Sequence, residues 1–395
     1  MPNPFNPFGP VDPGQFAGRM REVQELRRRL KSTISGAPQH SAMMGERGIG
    51  KTSLLRKYQE IAHNEHCIAA RVDLYTGIQT LEHLLFHVHE ELRKSCVQYY
   101  GLLGKRFETV RNFLENYSVT LPIAGGGIER IQQKSLEIDF RDRLLTIWSR
   151  VRSRTAAIVL MIDEAEKLTQ IPGALEYLRN TFSRLAEERA LYCILISGKT
   201  GLFQSVAETF SPLERFFAPI TLSPLPDEEV AEILKKASER ATVTFDHRVE
   251  QEINRDSEGQ PHVVQIFGYC LFEAAAKLGL NTITNRIFQS TRPIIHRMLE
   301  SQLFERRLSD GVGRSRHKLR IVKKMAQARR DSYSFTDIEN ITGVRKKQGL
   351  GVYLTELVVA GCLRKDPSSG RYSFFMRIFK EFAARRVELM GRYNG

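Results

Sequence analysis

Residues 43–55 read MMGERGIGKTSLL: an apolar lead, a turn with glycines at 45, 48 and 50, then Lys51, Thr52 and two leucines. A glycine, four residues and then Gly-Lys-Thr is the spacing of a loop that wraps phosphate. Its flanks suit that reading. SAMM (41–44) can form a short buried strand, and KTSLLRKYQEIA (51–62) repeats apolar residues at helical spacing. Backbone N–H groups along Gly45, Glu46, Arg47, Gly48, Ile49, Gly50, Lys51, Thr52 and Ser53 would converge on phosphate oxygens, with the positive end of the following helix behind them. Lys51 adds a point charge for the outer phosphates, and the Thr52 hydroxyl suits Mg²⁺. Strand, loop and helix in that order predict an α/β fold.

About 110 residues further on, AAIVLMIDEAEKL (156–168) is a continuous apolar run ending in Asp163 and Glu164. A run apolar at every position fits a central parallel strand covered on both faces, and ligands of open α/β sheets collect at the C-terminal ends of such strands. Asp163 there can hold the Mg²⁺ shell, while Glu164 can orient and deprotonate an attacking water. The same acids would also start a helix well. A third apolar run, LYCILISGKTGLF (191–203), ends in polar residues. Ser197 is the first choice for touching the γ-phosphate or the water, and Thr200 the second.

With 395 residues, the chain is too long for one ordinary core, so two or three domains are expected. Its 42% hydrophobic and 26% charged residues describe a soluble globular protein. No apolar run reaches membrane-spanning length, and the opening MPNPFNPFGPVDPGQF lacks a basic segment followed by an apolar one. The five cysteines are scattered, with no CxxC pair, as in reduced proteins of the cytoplasm. The net charge of +14 is concentrated. Of 59 Lys+Arg and 45 Asp+Glu, the last 110 residues hold 24 and 10, so the remaining 35 and 35 cancel. A neutral front and a basic end suggest a nucleotide-driven part joined to a polyanion-binding part.

Between RVDLY (71–75) and the acidic strand lies an insert. TLEHLLFHVHEELRKSCVQYY (80–100) reads as a helix, and YSVTLPIAGGGIERIQQKSLEI (117–138) as a hairpin turning at Gly125–Gly127. After LSPLPDEEV (222–230) helical patterns take over, with Pro261 just inside a helix start. Near the end, HKLRIVKKMAQA, SFTDIENIT and KKQGLGVYLTELVVAG read as three helices, and CLRKDPSSGRYSFF as strand, turn and strand. That order resembles a winged helix. The recognition helix would begin with Arg345, Lys346, Lys347 and Gln348, and the wing would carry Arg364, Lys365 and Arg371 toward a phosphate backbone. The divisions expected are a proline-rich segment (1–15), a nucleotide-binding core (16–222), a helical lid (223–312) and a winged helix (313–395).

NPFNPFGPVDPGQFAGRMREVQEL (3–26), GERGIGKTSLL, VLMIDEAEKL and SEGQPHVVQ (257–265) together resemble bacterial and archaeal P-loop ATPases of the AAA+/STAND group, relatives of replication-initiator and transposition-helper ATPases. The resemblance spans roughly residues 3–280. It implies ATP and Mg²⁺ as cofactors, an AAA+ type parallel sheet flanked by helices, and Phe16, Gly18 and Arg19 beside the adenine. It also implies a lid helix starting at Gly259 and Pro261, and Arg215 reaching into a neighbouring subunit's site, hence a homo-oligomer with nucleotide at its interface. The chain departs from many members in having no arginine at the start of the GQP helix. The expected activity is ATP-controlled loading or remodelling on duplex DNA of low sequence specificity, with a further protein partner and no membrane. The alternative is a STAND-type switch whose winged helix contacts protein.

Overall fold

Five strands make a parallel sheet in the order β2-β3-β4-β1-β5: β1 Ser41–Met44, β2 Ile68–Asp73, β3 Ile158–Asp163, β4 Tyr192–Gly198 and β5 Ala218–Thr221. Every residue of β3 and β4 is buried. Their continuous apolar runs follow from that, because helices cover both faces. Alternate residues serve the two faces. Val159, Met161 and Leu195 pack with Leu26 and Leu30 of α1 (Met20–Ile34) and with Leu54, Leu55 and Tyr58 of α2 (Lys51–Asn64). Leu160, Ile162, Ile194 and Ile196 pack on the other side against α3 (Leu81–Leu102), α5 (Glu129–Val151) and α6 (Ala174–Glu187). The short helices α4 (Glu108–Asn116) and α7 (Phe210–Phe216) complete the sequence of elements here. Truncating one of these leucines to alanine costs about 2–5 kcal/mol.

The computed structural model describes residues 2–102, 104, 108–116, 129–202 and 210–393. They fall into two compact units: residues 10–223, and residues 1–9 with 224–395. The hairpin expected over 117–138 is corrected in its second arm, since α5 begins at Glu129. Its turn at Gly125–Gly127 lies outside the described residues.

His40 fastens the start of β1. Its Nδ1 accepts the Ile194 N–H at 3.2 Å, its carbonyl accepts the Ala218 N–H at 3.1 Å, and its ring stacks on Phe216 with centroids 4.2 Å apart. Burial holds its pKa down at about 4. All five cysteines are free and buried.

The second unit begins with α8 (Asp227–Ala241), α9 (His247–Ser257), α10 (Pro261–Lys277) and α11 (Asn285–Leu299). Two-residue strands β6 (Thr244–Phe245) and β7 (Thr282–Ile283) pair within it, where helix alone was expected. Phe5, 3% exposed, belongs to this unit's core. It lies over Gly268 of α10, where an added Cβ would come within 2.3 Å of the ring. Asn3 Nδ2 donates to the Tyr269 carbonyl at 3.1 Å, and the Asn6 N–H donates to Gln265 Oε1 at 2.9 Å. The first nine residues are therefore built into this unit.

A π-turn (Glu300–Phe304) leads into α12 (Glu305–Val312), followed by α13 (Arg316–Gln327), α14 (Phe335–Thr342) and α15 (Leu350–Val359). Strands β8 (Leu363–Lys365) and β9 (Tyr372–Phe374) pair antiparallel, and α16 (Arg377–Tyr393) closes the chain. Three helices and a hairpin match the order read from the sequence. Ser334 starts α14 with a capping box: its hydroxyl accepts the Asp337 N–H, and Asp337 accepts the Ser334 N–H. The helix expected to serve recognition is corrected at its start. Lys346–Gln348 form a separate 3-10 turn, and Gly349 at φ 87 breaks it from α15. Arg345, Lys346, Lys347 and Gln348 thus precede the helix instead of opening it.

Candidate functional site

The loop after β1 turns on Gly48 and Gly50, at φ 82 and 95, left-handed values that side chains resist. Gly45 has no room for a side chain either, because an added Cβ would stand 2.8 Å from Ile49 Cγ2 and 3.1 Å from Leu222. Lys51 folds back over this loop, donating to the carbonyls of Gly45 at 2.7 Å and Glu46 at 3.0 Å. Burial lowers its pKa, while Glu166 and then Asp163 act in the opposite direction.

Thr52 and Asp163, 111 residues apart, meet. The Thr52 hydroxyl donates to Asp163 Oδ2 at 2.8 Å, and Asp163 Oδ1 accepts the Glu164 N–H at 3.0 Å. A hydroxyl beside a carboxylate is the oxygen-donor chemistry that Mg²⁺ takes. Ser197, on the strand between those of Asp163 and the loop, is fully buried, and its Oγ has no hydrogen-bond partner among the described residues. An unmet buried hydroxyl at the end of a central strand awaits a polar group. Thr200 is exposed.

Glu164 sits at φ 55, and its side chain is 59% exposed. It pairs with Lys167, whose ammonium also donates to the Leu74 carbonyl after β2. Glu166 takes the position nearer the loop. Its Oε2 is buried without a partner among the described residues and lies 3.3 Å from where a Cβ on Gly198 would be, and Oε1 is 3.9 Å from Lys199. The sequence reading passed over Glu166. The signal was present in DEAEK, but a 3-10 turn (Ala165–Gln170) follows the acids in place of the α-helix they could also have started, and this sets where each points.

The segment before α1 reaches the loop. Gly18 and Arg19 are both left-handed, at φ 74 and 61, and the buried Arg19 guanidinium donates to the Ile49 carbonyl at 2.9 Å and pairs with Glu22 at 3.2 Å. Phe16 packs against the core on the α1/α2 face. Ser53 Oγ accepts the Val11 N–H at 3.1 Å, and Arg56 lies 3.7 Å from Asp12. Arg19 thereby supports the loop backbone directly.

Other predicted residues lie elsewhere. Arg215 is exposed near the end of α7, three residues before β5. Pro261 opens α10 in the second unit, just after Gly259, which sits at φ 69 and has no room for a side chain, since an added Cβ would meet the Leu225 carbonyl oxygen at 2.2 Å. In the basic terminal segment the residues expected on a wing are partly committed. Arg371 donates to Ser332 Oγ and carbonyl at 3.0 Å and lies 3.5 Å from Asp337. Arg364 is half-buried, with Glu258 among its charged neighbours, and Lys365 lies over the Tyr372 ring. The cations of the 345–348 turn are exposed.

Residues 15–196 match the model of the AAA ATPase domain. An uncharacterized HTH-type transcriptional regulator of Methanocaldococcus jannaschii is 23% identical over 304 residues, covering 72% of this chain and 70% of that one. The Walker-type ATPase of Pyrococcus abyssi has a similar fold, at a TM-score of 0.62, 16% identity and coverage of 97% and 99%. So does the Aeropyrum pernix ORC2 protein in its ADPNP-ADP complexes, at 0.61, 16% identity and 96% of each chain. No described helix is long and apolar enough to cross a membrane.

Proposed function

We propose that the protein, whose residues 15–196 match the model of the AAA ATPase domain, hydrolyses ATP with Mg²⁺ and uses the cycle to control its grip on duplex DNA. The observation that carries this reading is the 2.8 Å bond from Thr52 to Asp163 beside a lysine folded over a glycine turn. Thr52 and Asp163 would hold Mg²⁺, which when bound neutralises charge on the phosphates. Loop N–H groups hold the phosphates, and Lys51 exchanges the Gly45 and Glu46 carbonyls for phosphate oxygens. Ser197, buried with its hydroxyl unmet, positions the γ-phosphate or the water, and Glu164 takes the water's proton. Arg215 would complete a neighbour's site in a homo-oligomer, a contribution of about 10³–10⁵ in turnover in related systems. Phe16, Gly18 and Arg19 form the base side, and Pro261 opens the lid helix.

DNA binding is supported by the concentration of surplus charge in the last 110 residues and by the helix-helix-helix-hairpin order there. The designation of the Methanocaldococcus relative as an HTH-type regulator agrees with it. Loading or remodelling in replication, transposition or defence is the role this combination fits. The deciding experiment measures ATP turnover with and without duplex for wild type, Glu164→Gln and Arg215→Ala. DNA-stimulated turnover abolished by Glu164→Gln, with ATP-dependent assembly lost in Arg215→Ala, is the expected result. ATP turnover indifferent to Glu164→Gln would overturn the hydrolytic assignment.

One observation favours a second reading, a nucleotide-held switch that contacts protein. Glu164 is turned to solvent and paired with Lys167, a resting arrangement for a catalytic base. Copurified ADP, idle turnover and no response to DNA would be its signature.

A further inference from the structure

Winged helices are expected to lay their third helix in the major groove, yet α15 is poorly equipped for that. Its exposed side chains are Val352, Thr355, Glu356 and Val359, spaced to share one face, with Val352 60% and Val359 79% exposed. This face carries no cation, and its one charge is negative. Glu356 is paired with Lys318 at 3.0 Å. A face of this kind offers a phosphate-lined groove no attraction and has no long donor for base edges.

The first helix of the three has the opposite character. α13 contains Arg316, Lys318, Arg320, Lys323 and Lys324 and no acidic residue. Arg316, Arg320 and Lys324 are exposed and four residues apart, so they form a single ridge, with half-buried Lys323 beside it. None of Arg316, Arg320, Lys323 and Lys324 is ion-paired with a carboxylate of the described residues. The ridge continues onto the 3-10 turn. Arg320 Nη2 is 3.2 Å from where a Cβ would project from Gly343, and exposed Lys346 and Lys347 follow three and four residues later. One oxygen of the Glu339 carboxylate beside this turn accepts the Lys346 N–H at 3.1 Å.

We propose that the exposed ridge of α13, extended by Lys346 and Lys347, is the surface that grips the phosphate backbone of duplex DNA, and that α15 stays out of the groove. This rests on the DNA-binding reading above and moves its contacts from the third helix and the wing to the first helix and the 3-10 turn. From residue 316 to 324 the ridge runs about 12 Å. Along one strand that is the axial run of about three to four phosphates. Contacts of this type set register on the backbone and read no sequence. The surface therefore fits a duplex of any sequence.

The test is titration of a fluorescent 30-base-pair duplex with the full-length protein across a KCl series, by anisotropy. Each neutralised phosphate contributes about 0.9 to the slope of log affinity against log salt. Arg320→Gln/Lys324→Gln should lower that slope by about 2, and equally so on unrelated duplex sequences. Val352→Ser/Val359→Ser should leave affinity within about twofold of wild type, where one mismatched base contact is worth about tenfold or more. Circular dichroism of both variants checks that they remain folded, and Arg320→Lys should restore part of the slope. A wild-type slope in the folded double variant, or a tenfold loss on altering the two valines, would overturn the proposal while leaving DNA binding in place. Absence of duplex binding by the wild-type protein would remove the DNA reading itself, and this surface with it.

Discussion

His40 supplies a pH dependence that can be worked through. Its imidazole is buried at the start of β1, accepts the Ile194 N–H, and titrates at about 4 when folded against 6.5 for the exposed group. Folding lowers its proton affinity, so acid favours the unfolded chain, which takes up the proton first. Stability from this group is complete above pH 6.5 and is lost as pH falls through the folded value of about 4. For these two values the loss is about 2 kcal/mol at pH 5 and about 3 kcal/mol at pH 4. Other histidines of this unit with lowered values, His63 and His89, add to the slope, so the comparison needs a variant. His40→Asn keeps an acceptor near Nδ1 but does not titrate in this range. Trp148 is the chain's one tryptophan and is buried in the same unit, so urea unfolding followed by its fluorescence reads that unit. Between pH 7.5 and 5 the wild type should lose about 2 kcal/mol more than His40→Asn. Equal losses would show that His40 is not held neutral and that burial is not the cause.

Gly268→Ala should destabilise the second unit by about 1–3 kcal/mol by overpacking against Phe5, seen as a lower Tm by circular dichroism. Adding Phe5→Ala should recover part of it, and an unchanged Tm in the single variant would deny the close approach. Arg19→Met removes a charged bond to the Ile49 carbonyl, so affinity for a fluorescent ATP analogue should fall about tenfold or more. Unchanged affinity would make Arg19 a support of the fold alone. Lys167→Met should free Glu164 and raise basal ATP turnover, but only up to about fivefold, because an exposed pair is worth about 0.2–1 kcal/mol. A tenfold fall would assign Lys167 a positive part in the reaction.

The sheet was legible because the body of β3 carries no polar residue to mislead: IVLMI before Asp163 fits a strand buried on both faces. The meeting of Thr52 and Asp163 was legible for a similar reason, since the ends of parallel strands converge. What failed depended on neighbours. Residues 129–138 carry an apolar pattern too sparse to outweigh the three glycines before them, yet they open a 23-residue helix. The KKQGLG stretch read as helix because its charges suited one, but the left-handed Gly349 divides it. Glu166 and Glu164 are two residues apart and chemically alike. Only the turn that follows β3 aims one at Lys167 and the other toward the loop lysine.

The seat of Phe5 over Gly268 has a consequence for biosynthesis. Phe5 and its neighbours leave the ribosome well ahead of their berth on α10, which arrives more than 250 residues afterwards. At about 5–20 residues per second the delay is about 13–50 seconds, longer than many domains need to fold. An apolar ring thus waits unsheltered while residues 10–223 are made, and is stowed only when the later part of the chain appears. A fragment starting at residue 224 would be born with that berth empty.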